Sequence, residues 1–209
     1  MIPESVYESD SAPVSNDMET RCARGDVFGK YRVGELIGIG GMAEVFKAKA
    51  FGVEGFERLV AVKRILPSIA EDQEFITMFI DEAKISVSLQ HANLVQIYDF
   101  GKIRENYFIA MEFIFGFDVS TVMRQLRKEA RDMPVPLAVA LARDVAAGLD
   151  YAHALTDEHE RPLEIVNRDV SPGNIMVGFD GRIQLIDFGI AQTTIDVKSQ
   201  IGSIKGKIS

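Results

Sequence analysis

The first half of the chain alternates short apolar, β-branched runs with glycine-rich or polar turns, a pattern typical of antiparallel strands. Three runs follow one another, Pro67 ends the third, and two more runs come after a helical segment. The pattern predicts five strands, over Tyr31–Gly38, Ala43–Ala50, Leu59–Leu66, Asn93–Gly101 and Asn106–Ile114.

Helical periodicity predicts one helix between the third and fourth strands, over Glu71–Gln90. Its predicted face carries Phe75, Met78, Phe79, Glu82 and Ile85. Two helices follow the strands, a short one over Ser120–Arg131 and a longer one from Pro134 to about Leu155. Apolar positions of the long helix are Leu137, Leu141, Val145, Leu149 and Ala152.

The order of elements indicates an α+β fold with two lobes. Five strands and one helix come first, mainly helices come second, and the predicted connection lies near Glu112–Gly116. A further strand is predicted at Ile183–Asp187. Residues 1–27 are rich in Ser, Glu, Asp and Pro, so we expect a mobile tail there.

Composition narrows the class of protein. Apolar residues make up 47% and charged residues 26%, as in globular domains. The net charge of −8 argues against nucleic acid as a partner. Cys22 is the single cysteine, and neither a signal peptide nor a membrane-spanning run is visible, so we expect a cytoplasmic protein.

Two features of the predicted strands could carry chemistry. The glycine cluster Gly38–Gly41 would let backbone N–H groups approach phosphates, although a plain hairpin turn explains it equally well. Lys63 lies in an apolar strand and needs a partner if it is buried, which Glu82 could supply. The alternative is a lysine that extends to solvent at the strand end.

Two later motifs contain oxygen-bearing side chains. Asp169 and Asn174 lie in the stretch NRDVSPGN, and Asp187 opens the stretch DFG. Carboxylate and amide oxygens, completed by substrate phosphates, suit Mg²⁺. Each motif alone is short enough to occur by chance.

Together and in this order, these motifs resemble the protein-kinase fold of the bacterial serine/threonine type. The resemblance runs from about Phe28 to the end of the chain. It rests on GIGGMAEV, VAVKRI, the helix residue Glu82, HANLVQIYDFG, AMEFI, NRDVSPGN and DFG. The stretches FGVEGFERLVAVKRILP, RDVSPGN and GSIKGK are similar to kinases of myxobacteria and their relatives.

The resemblance implies domains, cofactors and partners. Residues 28–113 would form a complete N-lobe, and residues 114–209 a partial C-lobe. The cofactors would be ATP and Mg²⁺, and the substrate would be a protein with a serine or threonine hydroxyl. Self-association would allow autophosphorylation, with Thr193, Thr194, Ser199 and Ser203 as acceptor candidates.

The resemblance also implies residue roles. Asp169 would accept or orient the substrate hydroxyl, Lys63 would hold the α- and β-phosphates with Glu82 as its ion-pair partner, and Asn174 and Asp187 would bind the metal. Arg168 would complete the catalytic set, and Gly189 would let its loop change conformation. The nucleotide would contact Ile37, Gly38, Gly40, Gly41, Val45, Ala61, Met111, Glu112, Ile114 and Asp118.

The sequence departs from the family pattern at several points. Asn167 stands where the family has histidine, Ser171 where many members have lysine, and Ala43 where the third loop glycine is common. The sequence ends where the resemblance places the end of the activation segment. We therefore expect weak or absent phosphoryl transfer by this chain alone, and exposed apolar surface near Leu141–Leu149.

Two alternatives stay open. One is a pseudokinase, an ATP-binding interaction module or a gene fragment without turnover. The other is a small-molecule phosphotransferase of similar fold, which the stretches GGMAEV, HANLVQ and SIKGK disfavour.

Overall fold

The computed structural model describes residues 27–103 and 106–188. The predictions for the tail up to residue 26, for Gly189 and for the four activation-segment hydroxyls lie outside these residues. The described strands are β1 Val27–Phe28, β2 Tyr31–Ile39, β3 Ala43–Phe51, β4 Glu57–Ile65, β5 Ile97–Ile103, β6 Asn106–Glu112, β7 Gly116–Asp118, β8 Ile175–Gly178 and β9 Ile183–Leu185. The described helices are α1 Gln73–Ser88, α2 Val119–Lys128 and α3 Val135–His153.

The larger sheet is antiparallel with the strand order β1-β2-β3-β4-β6-β5. It confirms the five predicted strands and adds β1, whose two residues pair with Arg32 and Tyr31. Val27, assigned above to the tail, therefore belongs to the sheet. Two apolar clusters pack against this sheet, one around Phe108 and one around Ile109.

The two ends of the larger sheet are tied together across the cluster around Phe108. The hydroxyl of Tyr31 on β2 donates to Asp99 Oδ2 on β5 at 2.7 Å, and Lys30 Nζ lies 2.8 Å from the same oxygen. Burial alone would raise the pKa of Asp99, but the hydrogen bonds from Lys30 and Tyr31 outweigh it and lower that pKa. This contact joins β2, near one edge of the sheet, to β5 at the other edge.

Helix α1 lies against the sheet with a face different from the predicted one. Asp72 caps its N-terminus by accepting hydrogen bonds from the N–H groups of Glu74 and Phe75, and the buried positions are Ile76, Phe79, Ala83 and Ser86. Of the five residues predicted for the face, only Phe79 is buried, and the other four are partly exposed. The prediction was wrong by about one residue of rotation, because Glu82 lies beside the packed stripe rather than within it.

The second part of the chain contains a three-stranded sheet, β7-β8-β9, with α2 and α3 packed near it. The pattern of apolar residues did not predict β7. Leu141 and Val145 of α3 are each 8% exposed and pack with Val119 and Ile183. The expected exposure of apolar surface here is therefore wrong for Leu141 and Val145, which α2 and the small sheet cover, but Ala142, Ala146 and Ala147 on the other face of α3 are exposed. Leu137, in contrast, is 39% exposed.

Candidate functional site

The side chains of Lys63, Glu82 and Asp187 meet in one cluster, although they come from β4, α1 and the segment after β9. Lys63 Nζ lies 2.7 Å from Glu82 Oε1 and 3.1 Å from Asp187 Oδ2. The Lys63 and Glu82 side chains are each only 15% exposed. Lys63 therefore does not extend to solvent, which was the alternative for a lone strand lysine.

Burial and charge act in opposite directions on the Lys63 ammonium. Burial alone would lower the pKa of Lys63, but the carboxylates of Asp187 and Glu82 outweigh it and raise that pKa. Lys63 therefore stays a cation. Burial raises the pKa of Glu82 to about 7, and the nearby Asp187 carboxylate adds to this while Lys63 opposes it. The cluster is a buried cation shared between two acids that compete for it.

The segment between α3 and β8 carries Asp169 and Asn174 close together. The side-chain Nδ2 of Asn174 donates to the backbone oxygen of Asp169 at 2.9 Å and to its Oδ2 at 3.1 Å. Asn174 is the last residue of a short 3-10 turn over Pro172–Asn174, and this turn brings its side chain back to Asp169. Pro172 suits this turn because its fixed φ favours the first position. The Asp169 side chain is exposed, so a substrate can reach it.

Asn167 joins this segment to the one that carries Asp187. Its Oδ1 accepts a hydrogen bond from the Asp169 N–H, and its Nδ2 donates to the backbone oxygen of Asp187, both at 2.9 Å. The backbone N–H of Ile186 donates to the backbone oxygen of Asn174 at 2.9 Å. The two segments are therefore held side by side by two hydrogen bonds, and the bond between Asn167 and the Asp169 N–H orders the first segment internally.

Phe188 points away from Lys63 into an apolar cluster. It is 4% exposed and packs with Leu89, Leu94, Ile165 and Leu185, with Ile85 of α1 beside them. Burial of this ring beneath α1 turns the preceding residue, Asp187, toward Lys63. The two adjacent residues thus have different surroundings: Asp187 contacts Lys63, and Phe188 packs in the apolar cluster.

The glycine cluster forms the turn between β2 and β3. Gly40 N–H donates to the backbone oxygen of Ala43 at 2.8 Å, and Gly38 pairs with Val45 across the hairpin. A Cβ at Gly41 would meet nothing within 4 Å, so the backbone there is open to a ligand. The Ala43 side chain is buried in the apolar cluster, so its methyl group does not obstruct the turn.

Apolar side chains form the surface behind this turn. Ala61 on β4 pairs with Met111 on β6, both are 7% exposed, and Val45 and Ile114 pack against the same cluster. Ile37, on β2 before the glycines, is 46% exposed. This set is an apolar wall of the kind that a planar base requires.

The Glu112 side chain has two hydrogen-bond partners that the sequence did not predict. Its Oε1 accepts from Arg182 at 3.1 Å and its Oε2 accepts from the buried Gln184 at 3.0 Å. The carboxylate is thereby tied to the β9 region, and the backbone N–H of Glu112 donates to the backbone oxygen of Gln96 at 2.9 Å. Charge spacing alone could not have found this pair, because the residues lie 70 and 72 positions apart.

Asp118 serves as the N-cap of α2. It accepts from the N–H of Thr121 at 2.8 Å and from the Thr121 hydroxyl at 2.6 Å, and the Ser120 hydroxyl donates to it as well. Burial alone would raise the pKa of Asp118, but these hydrogen bonds lower it. The predicted ribose contact therefore has to share this carboxylate with the helix cap. Arg168 is exposed beside Asp169.

The residues fit a magnesium ion that is bound together with a phosphate ligand. The adjacent segments supply one carboxylate, that of Asp187, which also pairs with Lys63, and one amide oxygen, that of Asn174. Within residues 27–103 and 106–188, no group of three or more His, Cys, Asp or Glu could hold an ion by itself. Mg²⁺ commonly takes one or two carboxylates and completes its shell with water and substrate phosphates, so the donor set agrees with that mode.

Comparison with known proteins agrees with this geometry. The family model of the protein kinase domain matches residues 31–205. Because the match takes in more than half of the chain, the chain belongs to the protein kinase domain family.

The curated relatives are bacterial kinases. Tyrosine-protein kinase MasK of Myxococcus xanthus (strain DK1622) is 39% identical over 181 residues, which are 86% of this chain and 28% of MasK. Serine/threonine-protein kinase PknE of Mycobacterium bovis is 36% identical over 185 residues, which are 88% of this chain and 30% of PknE. The chain thus spans less than a third of the length of these relatives.

Solved structures show the same fold. The kinase domain of Mycobacterium tuberculosis PknI aligns with a TM-score of 0.67 at 31% identity, over 82% of this chain and 64% of that chain. The α+β assignment and the protein-kinase fold are thereby confirmed. Among the helices that the structure describes, none has both the length and the apolar character to cross a membrane.

Proposed function

We propose that the chain carries the ATP-binding and catalytic machinery of a serine/threonine protein kinase. The observation that supports this most strongly is Lys63, whose ammonium is held between Glu82 at 2.7 Å and Asp187 at 3.1 Å. A buried cation fixed in this way is prepared for phosphate oxygens, because it does not have to reorganise when they arrive. Residues 28–113 would form the N-lobe, residues 114–209 the partial C-lobe and residues 1–27 a tail.

Each residue of the site has a role in this proposal. Lys63 binds the α- and β-phosphates, while Glu82 keeps the ammonium in position. The turn that contains Gly38, Gly40 and Gly41 covers the phosphates. The adenine lies between apolar side chains and the backbone of the connection between lobes, contacting Ile37, Val45, Ala61, Met111, Glu112 and Ile114, and the ribose approaches Asp118.

The transfer step depends on the second pair of segments. Asp187 and Asn174 would hold the Mg²⁺ that enters with ATP, and the ion would supply positive charge next to the phosphates. Asp169 orients the hydroxyl of the protein substrate and accepts its proton, and the Asn174 amide holds the Asp169 carboxylate at 3.1 Å. Arg168 lies beside Asp169 and contributes positive charge to the same surface.

Serine or threonine is the acceptor that we propose, and tyrosine is the second candidate. PknE is named a serine/threonine kinase, which supports the first, and MasK, at 39% identity, is named a tyrosine kinase, which supports the second. We further propose that the protein acts in the cytoplasm, in agreement with its single cysteine, and that copies of it associate to phosphorylate one another.

The test is transfer of labelled γ-phosphate from ATP to the chain itself and to a general acceptor protein, followed by phospho-amino-acid analysis. We expect phosphoserine and phosphothreonine, in a reaction that Asp169→Asn abolishes. Phosphotyrosine as the product would instead identify tyrosine as the acceptor. Tight Mg–ATP binding without any transfer would favour the pseudokinase, and no ATP binding at all would overturn the proposal.

A further inference from the structure

Four basic side chains surround the C-terminal end of α2, in a chain whose net charge is −8. They are Arg124, Arg127, Lys128 and Arg131, and all four are exposed. The partial negative charge at the end of a helix stabilises cations in its last turn, which accounts for Arg127 and Lys128. Arg124 precedes that turn and Arg131 follows the helix, so the helix itself does not account for the whole group.

Three of these cations, Arg124, Lys128 and Arg131, line a cavity of about 460 Å³ beside α2. Glu129 lines it as well and partly neutralises Arg131, whose Nη1 lies 3.2 Å from its Oε2. In the part of the chain that the structure describes, no carboxylate pairs with Arg124 or Lys128. The cavity therefore offers two exposed cations to an anionic ligand.

An exposed aromatic pair adjoins this cavity. Phe117, which belongs to its lining, packs edge to face on Phe179 with 5.6 Å between the ring centroids. The two side chains are 53% and 76% exposed. Exposed apolar surface rimmed by polar residues is typical of a site that binds another segment of protein. The segment that fits should carry acidic and apolar side chains together.

The beginning of the chain has this composition. Residues 1–20 contain no lysine or arginine. Residues 1–10 combine apolar and acidic side chains, namely Ile2, Val6, Tyr7, Glu4, Glu8 and Asp10. Acidic tails of this kind are commonly interaction segments. The charge of this segment is therefore complementary to that of the cavity.

The segment is also long enough to reach α2 of its own chain. Residues 11–26, which connect it to β1, span up to about 55 Å when extended. A folded unit of the size described here is about 40 Å across. Covalent attachment gives the segment an effective concentration on the order of millimolar, so weak contacts are sufficient to hold it.

We propose that residues 1–10 bind in the cavity beside α2 of the same chain, with their carboxylates against Arg124 and Lys128. Their apolar side chains pack on the exposed aromatic pair. Helix α2 also contacts the turn Pro172–Asn174, so the bound tail lies beside the candidate site. This binding requires neither ATP nor phosphoryl transfer, and its test therefore does not depend on the proposed function.

The experiment places a spin label in the full chain and measures the paramagnetic relaxation of backbone amides by NMR. The label is attached to Ser11→Cys, next to the proposed binding segment, in a Cys22→Ser background that leaves no other cysteine. We expect faster relaxation at the amides of α2 than at those of α1. The effect should weaken at high salt, because salt screens exposed charges.

Variants of the cavity identify the contacts. Arg124→Gln combined with Lys128→Gln should lower the ratio of bound to free tail by about fivefold, because two exposed ion pairs are lost. The matched control is Arg127→Gln combined with Lys84→Gln, which removes the same charge from exposed positions outside the cavity and should leave the relaxation unchanged. All four side chains are exposed, so the fold should tolerate both pairs of changes.

Charge reversal on both partners provides a rescue. Glu4→Lys with Glu8→Lys should release the tail, and adding Arg124→Glu with Lys128→Glu should restore the relaxation at α2. Equal relaxation at α1 and α2 in the wild type, equal effects of the cavity and control variants, or a failed rescue would overturn the proposal. Relaxation of an isotope-labelled chain by the spin label of a separate copy would show that the tail binds a second molecule, which overturns the assignment to its own chain.

Discussion

At the scale of single residues, the Lys63 ammonium contacts two carboxylates, one near it in the sequence and one far from it. Glu82 was expected as its partner, whereas the contact with Asp187 was not, because 124 positions separate the two residues. Two acids sharing one buried cation leave one of them poorly neutralised. Glu82 is the one whose pKa rises, to about 7.

The raised pKa of Glu82 predicts a pH-dependent stability. The folded protein holds this proton more tightly than the unfolded chain, whose Glu82 has the ordinary pKa of 4.5. The stabilisation is complete below that value and is lost as the pH rises through about 7. We expect Glu82→Gln to flatten the fall in free energy of unfolding between about pH 5 and pH 8, measured by urea denaturation without nucleotide.

The matched control for this prediction is Asp81→Asn, on the exposed side of the same helix. Asp81 pairs with Lys84 at 3.3 Å, and both side chains are more than half exposed. Asp81→Asn should therefore leave the pH dependence of the free energy of unfolding unchanged. If Glu82→Gln and the wild type lost stability in parallel over this range, the buried shared cation would not be the source of the pH dependence.

A second residue-scale prediction concerns Asp99, which joins the first and last parts of the larger sheet. Asp99→Asn removes the carboxylate that accepts from Tyr31 at 2.7 Å and pairs with Lys30 at 2.8 Å. We expect a loss of about 1 kcal/mol in the free energy of unfolding at neutral pH. Because the pKa of Asp99 is lowered, this contribution is present above its ordinary value of 3.8 and is lost as the pH falls through the lower folded value.

The comparison for Asp99 is Glu57→Gln. Glu57 pairs with Lys49 at 2.7 Å, but both side chains are about half exposed. Surface pairs of this kind contribute about 0–1 kcal/mol, and many of them contribute nothing measurable. Urea denaturation at neutral and acidic pH measures both variants, and an equal cost for the two would contradict the role assigned to Asp99.

At the scale of elements, the small sheet depends on Gly116, the first residue of β7. A Cβ at Gly116 would lie 2.0 Å from the backbone oxygen of Val177, which no side-chain rotation can relieve. Glycine is therefore required for β7 to approach β8. The same sheet carries the strand that leads to Asp187, so damage here would reach the site.

We expect Gly116→Ala to lower the free energy of unfolding by about 1–3 kcal/mol, the usual cost of forcing extra volume into a packed region. Gly41→Ala is the control, because a Cβ there would meet nothing within 4 Å. Denaturant midpoints of the two variants provide the measurement. A stable Gly116→Ala protein with the wild-type midpoint would show that β7 and β8 can separate without cost.

Several elements were predictable from sequence because their signal is local. The strand pattern and Pro67 gave five of the six strands of the larger sheet, and the helix positions were right to within a few residues. The buried face of α1 was not predictable, because apolar residues lie on all sides of this helix. Packing against the sheet buries Ile76, Phe79 and Ala83 among them. β7 was not predicted because its three residues, Gly116–Asp118, contain glycine and aspartate and form no apolar run.

At the scale of the whole molecule, the candidate site is assembled from three regions that sequence order keeps apart. Lys63 could be paired with Glu82 because a lysine in an apolar strand needs a partner, whereas no local pattern joins Asp187 to these two residues. The contacts of Asn167 and the partners of Glu112 were not predicted, because hydrogen bonds between distant segments leave no periodic signal. The chain covers less than a third of the length of its curated relatives, so its substrate has to be determined by experiment.

The most direct test of the whole account is calorimetric titration of ATP with and without Mg²⁺, using the wild type, Lys63→Met, Asp187→Asn and, as a control, the exposed Lys84→Met. We expect Mg²⁺ to tighten ATP binding in the wild type and in Lys84→Met. Lys63→Met should weaken binding by about 10-fold or more in both conditions, since a charge-assisted contact to phosphate is lost. Asp187→Asn should lose the response to Mg²⁺. A wild type whose ATP affinity is the same with and without Mg²⁺, or the same as that of Lys63→Met, would contradict the account.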